Sequence, residues 1–252
     1  MNYIDWAAIS MVPFHGWVAL CAYTVLILVV YWFGIPQGQF DPRDMVGRKE
    51  VGHGLSIQTH TVNVYRSWWT EANAITGLGM VGMVVVIAMT LSEAPEYRAL
   101  IPILFVVAQV VSDGFDGLAC KRWDCHSEIG AFLDAARDRM ALIAVAICLV
   151  YDGNVTWWVV PGLLTVVLSE GYIVVRGAAM LNEGRQLNSH GIGQMRQLIH
   201  LGAITGTLTL MYLSTLPPDI MEIVIELASA TMGTASFIAA VHYSMCSRTP
   251  VH

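Results

Sequence analysis

The sequence predicts an all-α, polytopic membrane protein, and three observations carry that prediction. The 252 residues are 56% hydrophobic and 13% charged, with a mean hydropathy of +0.58, too apolar for an ordinary soluble domain. Apolar windows of about 17–25 residues recur along the chain, each long enough to cross a bilayer as a helix. The basic residues also segregate to one side of the spans that these windows define. A formal net charge of −6 argues against a nucleic-acid partner. Five scattered cysteines (Cys21, Cys120, Cys125, Cys148 and Cys246) form no C-x2-C pair, so neither a disulfide framework nor a zinc site is indicated.

Taken in order, residues 1–15 carry Asp5 and no Lys or Arg, so they lack the basic start of a secretory signal. The apolar stretch 16–34 is long enough to span, and no small-residue cleavage site follows it, so a retained helix is expected. Residues 35–70 are polar and end in HTVNVYRSWW. Tyr65, Trp68 and Trp69 beside Arg66 predict a juxtamembrane helix lying in the interface. The next helix runs over 71–91, where Asn73 and Thr76 share a face at i, i+3. They are candidates to meet a substrate or the aspartates described next. Capping and close packing through Ala74, Gly77, Gly79 and Gly82 is the structural alternative.

The apolar run 99–111 is too short to span unless its helix continues to about Lys121. The segment 112–139, SDGFDGLACKRWDCHSEIGAFLDAARDR, then holds Asp113, Asp116, Asp134 and Asp138 at spacings of three and four around a polar turn. On helices, Asp113, Asp116, Gly117 and Cys120 share one face, and Gly130, Asp134 and Asp138 share another. Asp113 falls about 12 Å inside its helix end and Asp138 about 16 Å from the start of the following helix, at 1.5 Å per residue. Both carboxylate sets therefore reach similar depths, in a polar cavity open to one side. Four acidic side chains in a membrane cost roughly 10 kcal/mol on insertion scales and resist ionising together. One or two hard divalent cations, Mg²⁺ or Mn²⁺, relieve both penalties. Further spans are expected at 155–175, 198–213 and 220–245, separated by Asp152, Gly153 and the breaker Pro217 and Pro218.

This aspartate stretch resembles the signature of the CDP-alcohol phosphotransferases, D-x2-D-G-x2-A-R-x8-G-x3-D-x3-D. Asp113, Asp116, Gly117, Gly130, Asp134 and Asp138 match, while Cys120 stands for the Ala and Lys121 for the Arg. Lysine keeps the charge but loses the planar fork. The resemblance implies a six-helix transmembrane domain over 71–252. Residues 1–70 then hold one extra helix and the juxtamembrane segment. Asp113, Asp116 and Asp134 would ligate metal around a CDP pyrophosphate, and Asp138 would take the acceptor's proton and also touch metal. Gly117, Cys120, Lys121, Gly130, Asn73 and Thr76 would line the substrate site. The products would be CMP and a phosphodiester-linked lipid, made from CDP-diacylglycerol by a chain that is implied to be a homodimer in the bilayer.

The stretch SEGYIVVRGAAM…GIGQMRQ distantly resembles phosphatidylglycerophosphate synthases. Arg176, Arg185 and Arg196 suit an acceptor that itself carries phosphate, glycerol 3-phosphate first, with inositol phosphate, inositol, serine and amino-alcohols as alternatives. With seven spans, Arg43, Arg48, Lys49, Arg66, Lys121, Arg122, Arg137, Arg139, Arg176, Arg185, Arg196 and Arg248 fall on one side and Arg98 on the other. That asymmetry places the N-terminus outside, the C-terminus inside and the aspartate cavity toward the cytoplasm. Two rival classes stand beside the enzyme. A cation transporter also buries ionisable residues, although transporters tend to repeat the pattern in both halves. An inactive scaffold would explain Cys120 and Lys121, and the four aspartates speak against it.

Overall fold

A computed structural model of the chain describes residues 4–34, 45–52, 59–65, 70–92, 94–123, 126–182 and 191–246. The framework is helical, as the composition predicts. Helices α1 (Trp6–Met11) and α2 (Phe14–Phe33) precede strands β1 (Met45–Gly52) and β2 (Thr59–Tyr65). Then come α3 (Glu71–Leu91), a 3-10 turn (Pro95–Leu100), α4 (Ile101–Val106), a π-helical turn (Val107–Val111) and α5 (Ser112–Trp123). A two-residue strand β3 (His126–Ser127) leads into α6 (Glu128–Tyr151), α7 (Val159–Asn182), α8 (Gly191–Leu213) and α9 (Pro218–Cys246).

Among the described residues, five helices are long and apolar enough to cross a membrane: Phe14–Phe33, Glu71–Leu91, Pro95–Trp123, Val159–Arg176 and Pro218–Met245. Helices α6 and α8, of 24 and 23 residues, match them in length. They are interrupted by polar groups, in α6 by the aspartates and arginines of its first half and in α8 by Arg196, Gln197 and His200. Many outward side chains are apolar and exposed, among them Val84, Val85, Leu164, Val167, Leu168 and Ile223. A surface of that kind suits lipid as solvent.

The interfacial helix expected within 35–70 is not what its described parts form. Residues 45–52 and 59–65 make an antiparallel hairpin, with Val51 opposite His60 and Lys49 opposite Val62. The reason is the alternation Thr59, Thr61, Asn63, Tyr65 against Val62 and Val64, a period-2 pattern rich in β-branched residues. Strand β2 also pairs in parallel with β3, Val64 with His126 and Tyr65 with Ser127. Residues 35–44, 53–58 and 66–69, including Trp68, Trp69, Arg43 and Arg66, lie outside the described residues.

The chain divides into two compact units, 7–144 in one and 1–6 with 145–252 in the other. In the first, α2 packs on α3 and α5 through buried Ile27, Ile75 and Ala119, flanked by Tyr23, Tyr31, Leu78, Phe115 and Trp123. The Tyr23 hydroxyl donates to the Leu78 carbonyl at 2.8 Å, and Trp123 Nε1 donates to the Tyr31 carbonyl at 3.1 Å. The N-terminal helix is therefore part of the unit that carries the aspartates. In the second unit, α7 and α9 meet backbone to backbone. A Cβ at Gly162 would lie 2.6 Å from the Ser229 carbonyl oxygen, and one at Gly233 would lie 3.0 Å from the Gly162 oxygen. Small residues permit that approach, which supplies dispersion contact where lipid offers no hydrophobic drive. Ser229 Oγ donates to the Val159 carbonyl at 2.9 Å across the same seam.

Candidate active site

The site is built on α3, the π-helical turn, α5 and the first half of α6. Thr70 caps α3, its hydroxyl accepting from the Asn73 backbone N–H at 3.1 Å, as an N-cap threonine does. Ser127 plays the same role for α6, accepting from the Ile129 and Gly130 backbone N–H groups at 3.1 and 3.3 Å. Asn73 Nδ2 donates to that same Ser127 Oγ at 3.2 Å, tying the starts of α3 and α6 together. A Cβ at Gly130 would come within 2.9 Å of Asn73 Oδ1, so the motif glycine on α6 leaves room for α3. The motif glycine on α5, Gly117, has no atom within 4 Å of where a Cβ would stand. Among the described residues no atom closes over it, which leaves open space beside α5.

These locks bring the carboxylates together. Ligand oxygens of Asp113, Asp116 and Asp134 lie within 4.8 Å of one another, a spacing that can hold a cation after modest contraction. The side chains of Asp113 and Asp134 are 47% and 50% exposed, while Asp116 is buried. Asp134 Oδ1 is buried and makes no hydrogen bond, being faced by Arg137 Nη2 at 3.5 Å, and such an atom can take a metal or a donor from substrate. All the donors are hard carboxylate oxygens, the set that Mg²⁺ and Mn²⁺ favour. Thr76 joins them, donating to Asp116 Oδ2 at 2.9 Å from a fully packed position on α3.

Two members of the site were not singled out by the motif. Arg137, expected only as one of several basic residues around the cavity, is entirely buried inside the carboxylate cluster. Its Nη1 stands 2.6 Å from Asp116 Oδ2 and its Nη2 donates to Asp113 Oδ1. The same Nη2 lies 3.5 Å from Asp134 Oδ1 and 3.9 Å from Asp138 Oδ1. Its stem runs beside Gly79, where a Cβ would lie 3.0 Å from Arg137 Cδ. Gln109, on the π-helical turn, donates from Nε2 to Asp138 Oδ1 at 2.7 Å and is itself buried. The available signal was position, since Gln109 precedes Asp113 by four residues in an apolar run and so shares its helix face. π-turns recur at functional sites for the way they re-aim side chains.

The other expected site residues fall as follows. Lys121 is exposed and Cys120 half-buried near the end of α5. Arg122 stacks on Tyr31, Trp32 and Trp123, its guanidinium 5.3, 4.5 and 5.6 Å from the ring centroids. Arg139 Nη1 donates to the Ala135 carbonyl at 2.6 Å within its own helix. Arg176 is half-buried on α7. Arg196 on α8 pairs with Glu170 on α7 at 2.7 Å, both largely buried, so part of its charge is already answered. Arg185 lies outside the described residues.

Known proteins share sequence with this chain across the segment that carries the site. The chain is 36% identical over 88 residues to a Salmonella choleraesuis protein named CDP-diacylglycerol--glycerol-3-phosphate 3-phosphatidyltransferase, covering 35% of this chain and 46% of the relative. A Yersinia pestis protein of the same name is 30% identical over 108 residues, 42% of this chain and 58% of the relative. The chain spans about half the length of these curated relatives. A family profile described as CDP-alcohol phosphatidyltransferase matches residues 69–242, from the cap of α3 to near the end of α9 and across every aspartate of the site. On that match the chain belongs to the CDP-alcohol phosphatidyltransferase family.

Proposed function

We propose that this chain transfers a phosphatidyl group from CDP-diacylglycerol to the hydroxyl of a small alcohol, releasing CMP, with glycerol 3-phosphate as the acceptor. The observation that carries the proposal is the convergence of Asp113, Asp116 and Asp134 oxygens within 4.8 Å in a chain that the family profile matches over 69–242. The acceptor hydroxyl oxygen forms a bond to the lipid-bearing phosphorus while that phosphorus loses its bond to the CMP oxygen. The hydroxyl proton passes to Asp138, whose carboxylate Gln109 orients from the side. A general base must stand within hydrogen-bond reach of the proton it takes, and the buried Gln109 amide on Oδ1 fixes how the carboxylate is turned. A divalent ion bound by Asp113, Asp116 and Asp134 would clamp phosphoryl oxygens and offset their charge. Arg137 adds a fixed positive charge to the same end, and fixed charge of that kind is the main currency of phosphoryl transfer.

Glycerol 3-phosphate is favoured because the relatives named above carry it in their names. Arg176, Arg185 and Arg196 are the proposed acceptor-binding residues. The Arg196 Nε is buried without a hydrogen-bond partner, which leaves it a donor for an anionic group. In the bilayer, the twelve-to-one division of basic residues supports an outside N-terminus and a cytoplasmic site. A homodimer completes the reading. The test is CMP release by purified protein with CDP-diacylglycerol and Mg²⁺ or Mn²⁺, running glycerol 3-phosphate, inositol phosphate, inositol, serine and choline separately. Release with glycerol 3-phosphate alone supports the proposal. Release with a different acceptor keeps the reaction and replaces the substrate, and release with none of them refutes the reaction.

A further inference from the structure

We propose that the ends of α2 and α5 form a binding site for the phosphate of an anionic membrane lipid, with Arg122 as its donor and Tyr31, Trp32 and Trp123 as its frame. The membrane-length spans Phe14–Phe33 and Pro95–Trp123 end together here, since Trp123 Nε1 donates to the Tyr31 carbonyl at 3.1 Å. Two spans that finish side by side finish at the level of the lipid headgroups. The Arg122 guanidinium lies 4.5 Å from the ring centroid of Trp32, 5.3 Å from that of Tyr31 and 5.6 Å from that of Trp123. All three fall within the roughly 6 Å over which an aromatic face attracts a cation. The frame is itself held, because Tyr31 meets Trp32 and Phe115 edge to face, with centroids 5.4 and 5.0 Å apart.

The rings leave the donor edge of the guanidinium open. Arg122 is exposed and makes no hydrogen bond or ion pair with another described residue. The acid at the same end, Glu71, is buried beside Gly34 and does not pair with it. Aromatic faces hold a guanidinium flat and leave its N–H fork to take a phosphate bidentately. The surroundings select the source of that phosphate. Trp32, Phe33 and Leu118 (one turn before Arg122) all expose apolar surface, which suits acyl chains and not a soluble ion. The site is also separate from the carboxylates. Arg122 follows Asp113 by nine positions on one helix, about two and a half turns at 3.6 residues per turn, so it stands on the opposite face of α5. A lipid held there ties α2 to α5 behind the aspartates and does not feed the reaction.

The measurement is lipid binding to the purified chain by native mass spectrometry, titrated with phosphatidylglycerol and with phosphatidylcholine, then challenged with soluble glycerol 3-phosphate. The unmodified chain should hold one phosphatidylglycerol about tenfold more tightly than phosphatidylcholine, as hydrogen bonds to a charged group predict. Glycerol 3-phosphate should not displace it. Arg122→Gln should abolish the preference while leaving the first CDP-diacylglycerol bound as tightly as before. Trp32→Leu keeps every charge and should still weaken phosphatidylglycerol about two- to fivefold, through the lost ring. Equal affinity for the two lipids overturns the inference, and so does a preference that Arg122→Gln leaves intact. Displacement by glycerol 3-phosphate overturns the lipid as the source of the phosphate. An equal loss of CDP-diacylglycerol in Arg122→Gln overturns the separation from the substrate site. Full affinity in Trp32→Leu reduces the site to surface charge and overturns it too. Should Arg122→Gln not fold, the two lipids on the unmodified chain and on Trp32→Leu carry the test.

Discussion

Two glycines two residues apart on α3 offer a sharp test of how the site is packed. A Cβ added at Gly79 would stand 2.5 Å from Ser112 Oγ, 2.7 Å from the Ala108 carbonyl oxygen and 3.0 Å from Arg137 Cδ. The first atom is itself held, since Ser112 Oγ donates to that same Ala108 carbonyl at 2.5 Å. The second is backbone of the π-helical turn and cannot rotate away. Gly79→Ala therefore has to push α3 off that turn by roughly half an ångström, and overpacking of this kind costs about 1–3 kcal/mol. At Gly77 nothing lies within 4 Å of the new methyl, so Gly77→Ala should instead gain about 0.5–1 kcal/mol from the better helix former. The assay is thermal unfolding in one detergent, followed by intrinsic tryptophan fluorescence. At about 2–4 °C per kcal/mol, Gly79→Ala should melt several degrees below the unmodified chain and Gly77→Ala at or slightly above it. Activity should fall further in Gly79→Ala than its stability alone accounts for, because the displaced stem belongs to Arg137. If Gly79→Ala melts as high as Gly77→Ala, the close approach of α3 to the turn is wrong, and with it the confinement of Arg137.

Three further outcomes follow from other contacts. Thr76→Val removes the hydroxyl from Asp116 without changing shape. A hydrogen bond to a charged group is worth about 1.5–3 kcal/mol, and Arg137 still holds Asp116, so CMP release should drop at the low end of that range, about tenfold. Arg196→Ala takes the ion-pair partner from the largely buried Glu170, and breaking such a pair costs about 3–5 kcal/mol. Its melting temperature should fall steeply, and replacing both residues by Met should recover most of the loss. Gly130→Ala should be destabilising through Asn73 Oδ1, and Asn73→Ala in the same chain should relieve that part of the penalty in a double-mutant cycle.

Much of the site was legible because helical spacing is simple geometry. Asp113 and Asp116 at i, i+3, and Asp134 and Asp138 at i, i+4, had to share faces once α5 and α6 were helices, and the polar turn between them makes those faces meet. Arg137 escaped because it occupies an unspecified position of the motif. An arginine one residue before an aspartate reads as an ordinary membrane-end cation until its stem is seen beside Gly79. Gln109 escaped because its one signal, an amide four residues before Asp113, is weak in an apolar run, and it sits on a π-turn that no sequence pattern announced. The hairpin was missed for a different reason. Tyr65, Trp68, Trp69 and Arg66 suggest an interface by composition, whereas strand character in 59–65 lies in the order of its β-branched residues. The role of α2 was open from sequence, because Ile27, Tyr23 and Tyr31 pack on residues remote in the chain, Tyr23 bonding Leu78 across 55 positions and Tyr31 bonding Trp123 across 92.

In the proposed reaction the aspartate cluster performs the transfer and Asp138 receives the acceptor's proton. The most direct measurement compares CMP release by the unmodified chain and by Asp138→Asn, with CDP-diacylglycerol, glycerol 3-phosphate and Mn²⁺. Asparagine keeps the size and still meets Gln109, so the variant should fold and retain CDP-diacylglycerol binding. Loss of a general base predicts a fall of about 10²–10⁴ in turnover, and chelator should silence the unmodified chain. Full turnover by Asp138→Asn would remove Asp138 as the base, and turnover that survives chelation would remove the metal from the reaction.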